Sequence, residues 1–211
     1  MMTSKLSEAL GIQNTDLKNI DGDMVQLFEN SFEVYNESKK TIVTNCQNLL
    51  QALEKGYQPP DPDLKVFESR AIDCEAHEYL KEGKLPQKSF IEGFQFGEAS
   101  LQLLTPVLDL SLSDDEIAEA QQAETQGKNW LAYNPTIQLK IVDPLELTAQ
   151  DNDEWTATYF IYGYGDLNGD GTEDVVIKRE GVVSNGTFQS SKLFILSRTE
   201  NQGPLKVVNE K

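Results

Sequence analysis

The chain has 211 residues, of which 38% are hydrophobic and 25% are charged, and its net charge is −17. This composition is typical of a globular protein and not of a disordered one, and no apolar run approaches the ~20 residues of a membrane-spanning helix. Because so acidic a surface repels phosphates, nucleic acid and anionic lipid are disfavoured as partners, whereas cations and basic proteins are favoured.

The acidic residues are concentrated in the first part of the chain. Residues 136–211 hold 7 Lys and Arg against 12 Asp and Glu, which leaves 11 basic and 23 acidic residues before them. A surface that binds a basic protein would explain this excess, and so would an acidic surface that only keeps the protein in solution.

Two helices are predicted first. The first runs from about residue 23 to residue 55, since its apolar residues recur at spacings of three and four. Gly56 and the proline-rich run 57–63 end it, because proline lacks the amide hydrogen and clashes with the preceding turn. A second helix follows, with Leu64, Phe67, Ala71 and Cys74 at the same spacing. We therefore expect an antiparallel helical hairpin.

Two more helices are predicted before the pattern changes. A stretch from about residue 87 to residue 104 has helical spacing, interrupted by Gly93 and Gly97. A further helix begins at Ser113, where Ser113 and Glu116 have the spacing of a capping box, and it ends at Gly127.

The pattern from residue 136 onward is that of strands. An alternating run at 137–141 is broken by Pro144, and strands are predicted at 155–164, 174–183 and 192–197, with an edge strand at 205–208. Asn185-Gly186 is a turn signal between two of them. The sequence therefore predicts an α+β protein, with a helical part at 1–135 and a small antiparallel β-meander at 136–211, as two parts or as one compact domain.

The strand at 155–164 is unusual because both of its faces carry aromatic residues. Alternation places Trp155 and Tyr159 on one face and Phe160, Tyr162 and Tyr164 on the other. Two alternatives are open: both faces are buried, or one face recognises a protein or a glycan.

The loop between two of these strands has the pattern of a calcium site. Calcium prefers roughly six to eight oxygen ligands, and here oxygen-bearing side chains recur at alternate positions: Asp166, Asn168, Asp170 and Asp174, with the backbone carbonyl of Thr172 between the last two. Gly171 allows the sharp turn in the middle. Without a cation the three carboxylates would repel one another, although an Asx-rich turn that binds no metal is the alternative.

The loop differs from an EF-hand, because its twelfth position is Ile177 and a strand follows it instead of a helix. The nine residues resemble the calcium loops of the FG-GAP and VCBS-type β-repeat families, in which Asp-x-Asn-x-Asp-Gly-x-x-Asp precedes an apolar strand. This resemblance implies the same five ligands and a loop that joins adjacent strands. It covers about a tenth of the chain, and the loop occurs once, so a propeller is not expected. We expect weak affinity, near ~10⁻⁴–10⁻³ M, and a structural role for the ion.

The two cysteines lie at similar distances from the proline-rich connection. Cys46 precedes Gly56 by ten residues and Cys74 follows Asp63 by eleven, so a helical hairpin would bring them together. We expect a disulfide, with buried thiols as the alternative. A disulfide and a weak calcium site both point outside the cytosol, to the periplasm or to secretion. The first residues are not a secretory signal, which we expect to precede this sequence.

Few residues suggest catalysis. The sequence has no Gly-x-Ser-x-Gly, no His-Glu-x-x-His and no phosphate-binding glycine loop. The single histidine, His77, follows Cys74 by three residues and could form a thiol–imidazole dyad with it, but Cys74 has the competing role in the disulfide. Carboxylate groups such as Asp114 with Asp115, and the group of Asp151, Asp153 and Glu154, are typical of a solvated surface.

These observations favour a non-catalytic, calcium-binding module of the bacterial envelope. Its partner would be another protein, and a basic toxin or enzyme that an immunity-type protein neutralises is one concrete case. The alternatives are a calcium-dependent hydrolase that uses carboxylates near residues 166–174, and a structural envelope protein with no discrete partner.

Overall fold

The structure is a computed structural model that describes residues 31–37, 39–152 and 154–210. It divides the chain into two compact units, Met1–Glu82 (unit 1) and Gly83–Lys211 (unit 2). The described residues form four α-helices and two antiparallel sheets, so the predicted mixture of helices and strands is confirmed. The boundary predicted at residue 135 follows the change from helices to strands, whereas the helices that directly precede the large sheet share a core with it.

The described part of unit 1 begins with a β-hairpin of strands β1 (Phe32–Asn36) and β2 (Lys39–Val43). Helix α1 (Cys46–Glu54) and the longer helix α2 (Asp61–Glu82) follow. The hairpin is joined to the connection between the helices by two backbone hydrogen bonds between Tyr35 and Gln58, of 2.8 and 3.0 Å. The described core of this unit is small, and it consists of eight buried residues: Val34, Val43, Cys46, Leu49, Ala52, Phe67, Ala71 and Cys74.

The predicted first helix is wrong over residues 32–43, which form the hairpin. Aromatic and β-branched residues dominate this stretch, and their preference for strands outweighs a helical spacing that the same residues also satisfy. Glu37 has a φ of 51°, which turns the chain between β1 and β2. Residues 23–30 of the predicted helix lie outside the described residues. The antiparallel arrangement of α1 and α2 stays a prediction.

Unit 2 contains a six-stranded antiparallel sheet whose strand order follows the chain, so the predicted meander is confirmed. Two short 3-10 helices (Ser100–Leu103 and Pro106–Leu108) and the helices α3 (Asp114–Thr125) and α4 (Trp130–Tyr133) precede it. The strands are β3 (Gln138–Asp143), β4 (Glu146–Asp151), β5 (Trp155–Gly165), β6 (Asp174–Val183), β7 (Gln189–Ser197) and β8 (Lys206–Glu210).

Helix α3 begins as its sequence predicts. The side chain of Ser113 accepts a hydrogen bond from the amide of Glu116, and the carboxylate of Glu116 accepts one from the amide of Leu112. Gly127, with a φ of 75°, follows the last turn. The helix predicted at 87–104 is wrong, since only Ser100–Leu103 form a short 3-10 helix there. Gly93, with a φ of 71°, is incompatible with a continuous helix.

One face of the sheet packs on the residues that precede it. The core of unit 2 includes Leu104, Leu108 and Trp130 from the helical stretch, together with buried residues of the four strands β4 to β7. Strand β6 is central, and its first six residues are buried on both faces. Within the described ranges, no helix combines the length and the apolar character needed to cross a bilayer.

A bulge in β5 changes the predicted distribution of its aromatic residues. Trp155 and Tyr159 are buried in the core, as alternation predicts. The register shifts between Ile161 and Gly163, and beyond this shift Tyr164 packs against the same core and donates a hydrogen bond of 2.6 Å to the carbonyl of Phe94. A bulge inserts one extra residue and so exchanges the two faces. The prediction that Tyr164 shares a face with Phe160 is therefore wrong.

Candidate functional site

The predicted calcium loop lies between the ends of the two longest strands, since β5 ends at Gly165 and β6 begins at Asp174. Three of the predicted ligand residues are buried: Asp166 is 6% exposed, Thr172 1% and Asp174 0%. Asn168 and Asp170 are exposed at the tip. The loop therefore has one side that is buried and another side that is exposed to solvent.

Side-chain oxygens of the loop accept hydrogen bonds from its own backbone. Such Asx-type bonds replace backbone pairing in a tight turn and fix the orientation of each carboxylate or amide. The four bonds run from Gly169 N to Asp166 Oδ1 (2.8 Å), from Asp170 N to Asn168 Oδ1 (2.9 Å), from Thr172 N to Asp170 Oδ1 (2.7 Å), and from Leu167 N to Asp174 Oδ2 (2.9 Å).

Two glycines make this backbone path possible. Gly169 and Gly171 have φ values of 83° and 80°, in the left-handed region that residues with a Cβ atom rarely adopt. The sequence signal at Gly171 therefore corresponds to a real conformational requirement, independent of whether an ion is bound.

Asp174 is the carboxylate of the loop whose burial is least offset by hydrogen bonds. Its Oδ1 atom is buried and has no hydrogen-bond partner. Ser197 lies opposite it on β7, and its hydroxyl lowers the pKa of Asp174 without meeting Oδ1 in hydrogen-bond geometry. Burial dominates and raises the pKa of Asp174 above its ordinary value. A buried carboxylate oxygen without a donor is costly unless a cation neutralises it.

Asp170 has the opposite environment, since it is exposed at the tip of the loop. The hydrogen bond from the Thr172 amide lowers the pKa of Asp170, so its carboxylate is readily ionised. The loop thus combines an anionic, exposed carboxylate with a buried one that lacks a donor.

The predicted ligands lie on one loop but are not gathered around one point. In the described part of the chain, no three His, Cys, Asp or Glu side chains come together as a metal-binding group. The amide nitrogen of Asn168 instead donates to Asp170 Oδ2 at 3.2 Å. The donor set nevertheless fits a hard cation, because every candidate ligand atom is an oxygen and Asp174 Oδ1 has no competing donor. Binding would require rotation of the exposed Asn168 and Asp170 side chains.

The structure also contains an acidic cleft that the sequence does not predict. This cleft, of about 320 Å³, lies in unit 2 and carries five carboxylates and no Lys or Arg in its lining. The carboxylates come from separate segments and are those of Asp109, Glu116, Glu119, Asp151 and Glu154. Asp151 and Glu154 were predicted to belong to a solvated surface, and Asp153 lies outside the described residues. Only the fold brings these groups together.

Asp109 is the buried carboxylate of the cleft, with 7% of its surface exposed. Its Oδ2 atom accepts hydrogen bonds from Trp130 Nε1 at 3.1 Å and from Asn134 Nδ2 at 3.0 Å. The same Asn134 nitrogen donates to Asp151 Oδ2 at 3.0 Å, so one amide holds two carboxylates close together. Burial raises the pKa of Asp109, and the nearby Asp151 adds to this rise.

Tyr133 shows that the field of the cleft is negative. Burial raises the pKa of its phenol, and the charges of Asp109, Glu119 and Glu116 raise it further. The carboxylate charges, unlike burial, disfavour a phenolate and favour a cation at the same place.

The predicted disulfide between Cys46 and Cys74 is present, with the two Cα atoms 5.2 Å apart. Both residues are fully buried in the core of unit 1. Because Cys74 is bonded, it supplies no thiolate for the dyad with His77 that the sequence left open.

Comparison with known proteins gives no relative. No protein-family model, no curated protein and no solved structure matches this chain.

Proposed function

We propose that this chain is a calcium-braced binding module without catalytic activity, which works in the periplasm or outside the cell. The observation that carries this proposal is the buried Oδ1 atom of Asp174, which has no hydrogen-bond partner inside a loop of calcium-binding composition. A calcium ion there would neutralise the carboxylate and would supply the interaction that the protein itself does not provide.

The ion would be held by side-chain oxygens of Asp166, Asn168, Asp170 and Asp174 and by the backbone carbonyl of Thr172. Its role would be structural, because the loop connects β5 to β6, the central strand of the sheet. Fixing the loop would fix the ends of both strands, whose facing residues pair along most of their lengths.

The disulfide supports a place outside the cytosol. Disulfides persist in the periplasm and in secreted proteins, whereas cytosolic thiols are kept reduced. A weak calcium site fits the same compartments, because cytosolic calcium is far below the ~10⁻⁴–10⁻³ M at which extracellular modules bind it.

The acidic cleft supports a basic protein as the partner, such as a toxin or an enzyme that an immunity-type protein would neutralise. Five carboxylates without a cation in the lining attract a Lys or Arg side chain of another protein. The net charge of −17 would also accelerate the encounter with a basic partner at low ionic strength.

The calcium-dependent hydrolase has less support than the binding module. That reading requires carboxylates of the loop beside a substrate cleft, and the acidic cleft is lined by none of residues 166–174. We therefore do not propose it.

Thermal unfolding tests the calcium site. At 10 mM calcium and a Kd of ~10⁻⁴–10⁻³ M, binding should stabilise the folded protein by about 1.4–2.7 kcal/mol relative to EDTA. This corresponds to a rise in Tm of about 4–10 °C. Asp166→Ala and Asp170→Ala should each abolish the rise, whereas Asp115→Ala, an equal loss of charge on the exposed face of α3, should preserve it. An unchanged calcium response in both loop variants would refute the site.

A basic probe tests the cleft. Hexa-arginine should bind the wild-type protein, and its affinity should fall as salt is added, because the attraction is electrostatic. The double variant Glu119→Gln with Glu154→Gln should bind more weakly. The control is Asp114→Asn with Asp115→Asn, which removes the same charge from residues outside the cleft lining. Equal weakening in both double variants would show that only net charge matters, and the cleft would lose its assignment as the binding surface.

A further inference from the structure

The segment that opens unit 2 lies along the predicted calcium loop. This segment, residues 84–89, follows the end of α2 at Glu82. It is bonded to both ends of the loop: Lys84 and Asp166 exchange two backbone hydrogen bonds, of 2.9 and 3.0 Å, and further along Lys88 pairs with Thr172 as a parallel bridge. The loop is therefore not a free turn, since a second stretch of chain is fastened to it.

The far end of the loop makes the larger number of bonds. The carbonyl of Gly171 accepts from the amides of Gln87 and Lys88, at 2.9 and 3.2 Å, and the amide of Glu173 donates to the carbonyl of Lys88 at 2.9 Å. The hydroxyl of Ser89 donates to the carboxylate of Glu173. These bonds use backbone groups on both sides of Thr172, which is a predicted ligand through its carbonyl.

Close packing accompanies the bonds. A Cβ atom on Gly171 would lie 3.4 Å from the side-chain carbon Cδ of Gln87, and one on Gly165 would lie 3.5 Å from the carbonyl oxygen of Lys84. The segment thus lies directly on the backbone of the loop at both of these glycines.

The other described contacts of the segment are local: Lys88 Nζ lies 5.7 Å from the ring centroid of Phe90, and Ser89 Oγ accepts a hydrogen bond from Ile91 N at 3.1 Å. Lys84, Leu85, Gln87, Lys88 and Ser89 are all exposed, and the side chain of Leu85 is 74% exposed. The next buried apolar residue is Ile91. Ordering a residue costs about as much free energy as one hydrogen bond returns, so a segment held mainly by its bonds to the loop is ordered only where the loop is ordered.

We propose that calcium bound at residues 166–174 fastens residues 84–89, so that the calcium concentration sets whether the start of unit 2 is ordered. This inference rests on the calcium site proposed above. The ion would fix the carbonyl of Thr172 and the carboxylates of Asp166 and Asp174, and thereby the backbone groups of 166, 171 and 173 to which the segment is bonded. By reciprocity, loosening the segment would weaken calcium binding.

Amide hydrogen exchange of the full chain, with calcium or with EDTA, tests the inference. The amides of Gly169, Asp170 and Thr172 report on the loop itself, and those of Lys84, Gln87 and Lys88 report on the segment. At calcium ten times above its measured Kd, exchange in both sets should slow about tenfold, because calcium binds only the closed form. If exchange slowed in the loop alone, calcium would not order residues 84–89, and the proposed calcium site would still stand. No slowing in either set, together with no calcium uptake by calorimetry, would overturn both.

The variant Ser89→Ala tests the reciprocal effect without touching a predicted ligand. The variant removes the bond to Glu173 and also the bond that Ser89 Oγ accepts from the Ile91 amide at 3.1 Å. Loss of the bond to Glu173 should weaken calcium binding by about two- to tenfold and should speed exchange at Lys88. Ser190→Ala, the same change at a half-buried position on β7, should leave both quantities unchanged. Wild-type calcium affinity in Ser89→Ala would contradict the coupling.

Discussion

The two units are stabilised in different ways. The described core of unit 1 holds eight buried residues, and two of them are the half-cystines of the disulfide. The described core of unit 2 holds nineteen buried residues and no cysteine. A small core supplies little stability of its own, so a covalent link has most effect there. The disulfide thus lies in unit 1, the unit with the smaller described core.

The larger core is accompanied by several buried polar groups. Unit 2 buries Asp109, Asp174 and Arg179 within or beside its sheet, and both Asp174 Oδ1 and Arg179 Nε lack hydrogen-bond partners. Burying such groups costs free energy, and nineteen buried core residues offset that cost. Unit 2 can therefore carry the loop and the cleft, which we regard as the functional features.

The largest expected effect is the loss of the disulfide. Replacing Cys46 and Cys74 with alanine, or adding reductant, should destabilise unit 1 by about 3–4 kcal/mol, because the bond closes a long loop in the unfolded chain. Hydrogen exchange across α1 and α2 should accelerate. Both tryptophans, Trp130 and Trp155, lie in unit 2, so their fluorescence provides an internal control that should remain native. Equal loss at the tryptophans would show that the disulfide braces the whole chain.

An intermediate effect is expected from overfilling the core of unit 2. A Cβ atom at Gly181 would lie 2.8 and 2.9 Å from the two methyl carbons of Leu110, which is 2% exposed and cannot move aside freely. Gly181→Ala should therefore cost about 1–3 kcal/mol in denaturant unfolding followed by tryptophan fluorescence. Gly97→Ala is the matched control, since no atom lies within 4 Å of its added Cβ. If the two variants had equal midpoints, Leu110 would not be packed against β6 as tightly as described.

The smallest effect concerns the buried charge of Asp109. Its pKa is raised in the folded protein, so the folded state binds the proton more tightly than the unfolded chain does. Stability should fall as the pH rises from the ordinary aspartate pKa through the raised one, and it should recover on acidification. The wild-type protein should lose stability relative to Asp109→Asn over this window. The effect is limited because hydrogen bonds from Asn134 and Trp130 oppose the rise in pKa. Parallel pH profiles would show that the Asp109 carboxyl is not desolvated.

Local signals in the sequence predicted the parts of the fold that local chemistry determines. The capping box at Ser113 starts α3, and strand-forming residues at 174–183 match β6 residue for residue. The cysteine spacing predicted the disulfide, although the helix that contains Cys46 proved much shorter than expected. Each of these features depends on a few neighbouring residues or on one pairing.

The wrong predictions came from patterns that two structures satisfy. Apolar residues at 32–43 fit a helical spacing and also fit a hairpin, and the hairpin is the structure that forms. An alternating pattern of residues does not predict a bulge, so the bulge in β5 made the predicted face of Tyr164 wrong. Strand β4 was missed because only Leu147 and Ala149 are buried in it.

The two candidate sites also differ in whether the sequence could predict them. The calcium site at 166–174 could be proposed from the sequence because all five predicted ligand residues lie within nine positions. The acidic cleft could not be predicted, since its carboxylates come from the stretch before α3, from α3 itself, from the end of β4 and from the turn that follows it. Likewise, nothing in residues 84–89 indicates that they pair with the loop.

Calcium titration by calorimetry, comparing the wild-type protein with Asp174→Asn, tests the calcium site itself. Asparagine preserves the shape of the side chain and an oxygen that accepts from the Leu167 amide, but it removes the charge of the buried carboxylate. We predict uptake of about one calcium ion per wild-type chain, with a Kd of ~10⁻⁴–10⁻³ M, and no measurable uptake by the variant. Equal uptake by both proteins, or none by the wild type, would contradict a calcium site at this loop.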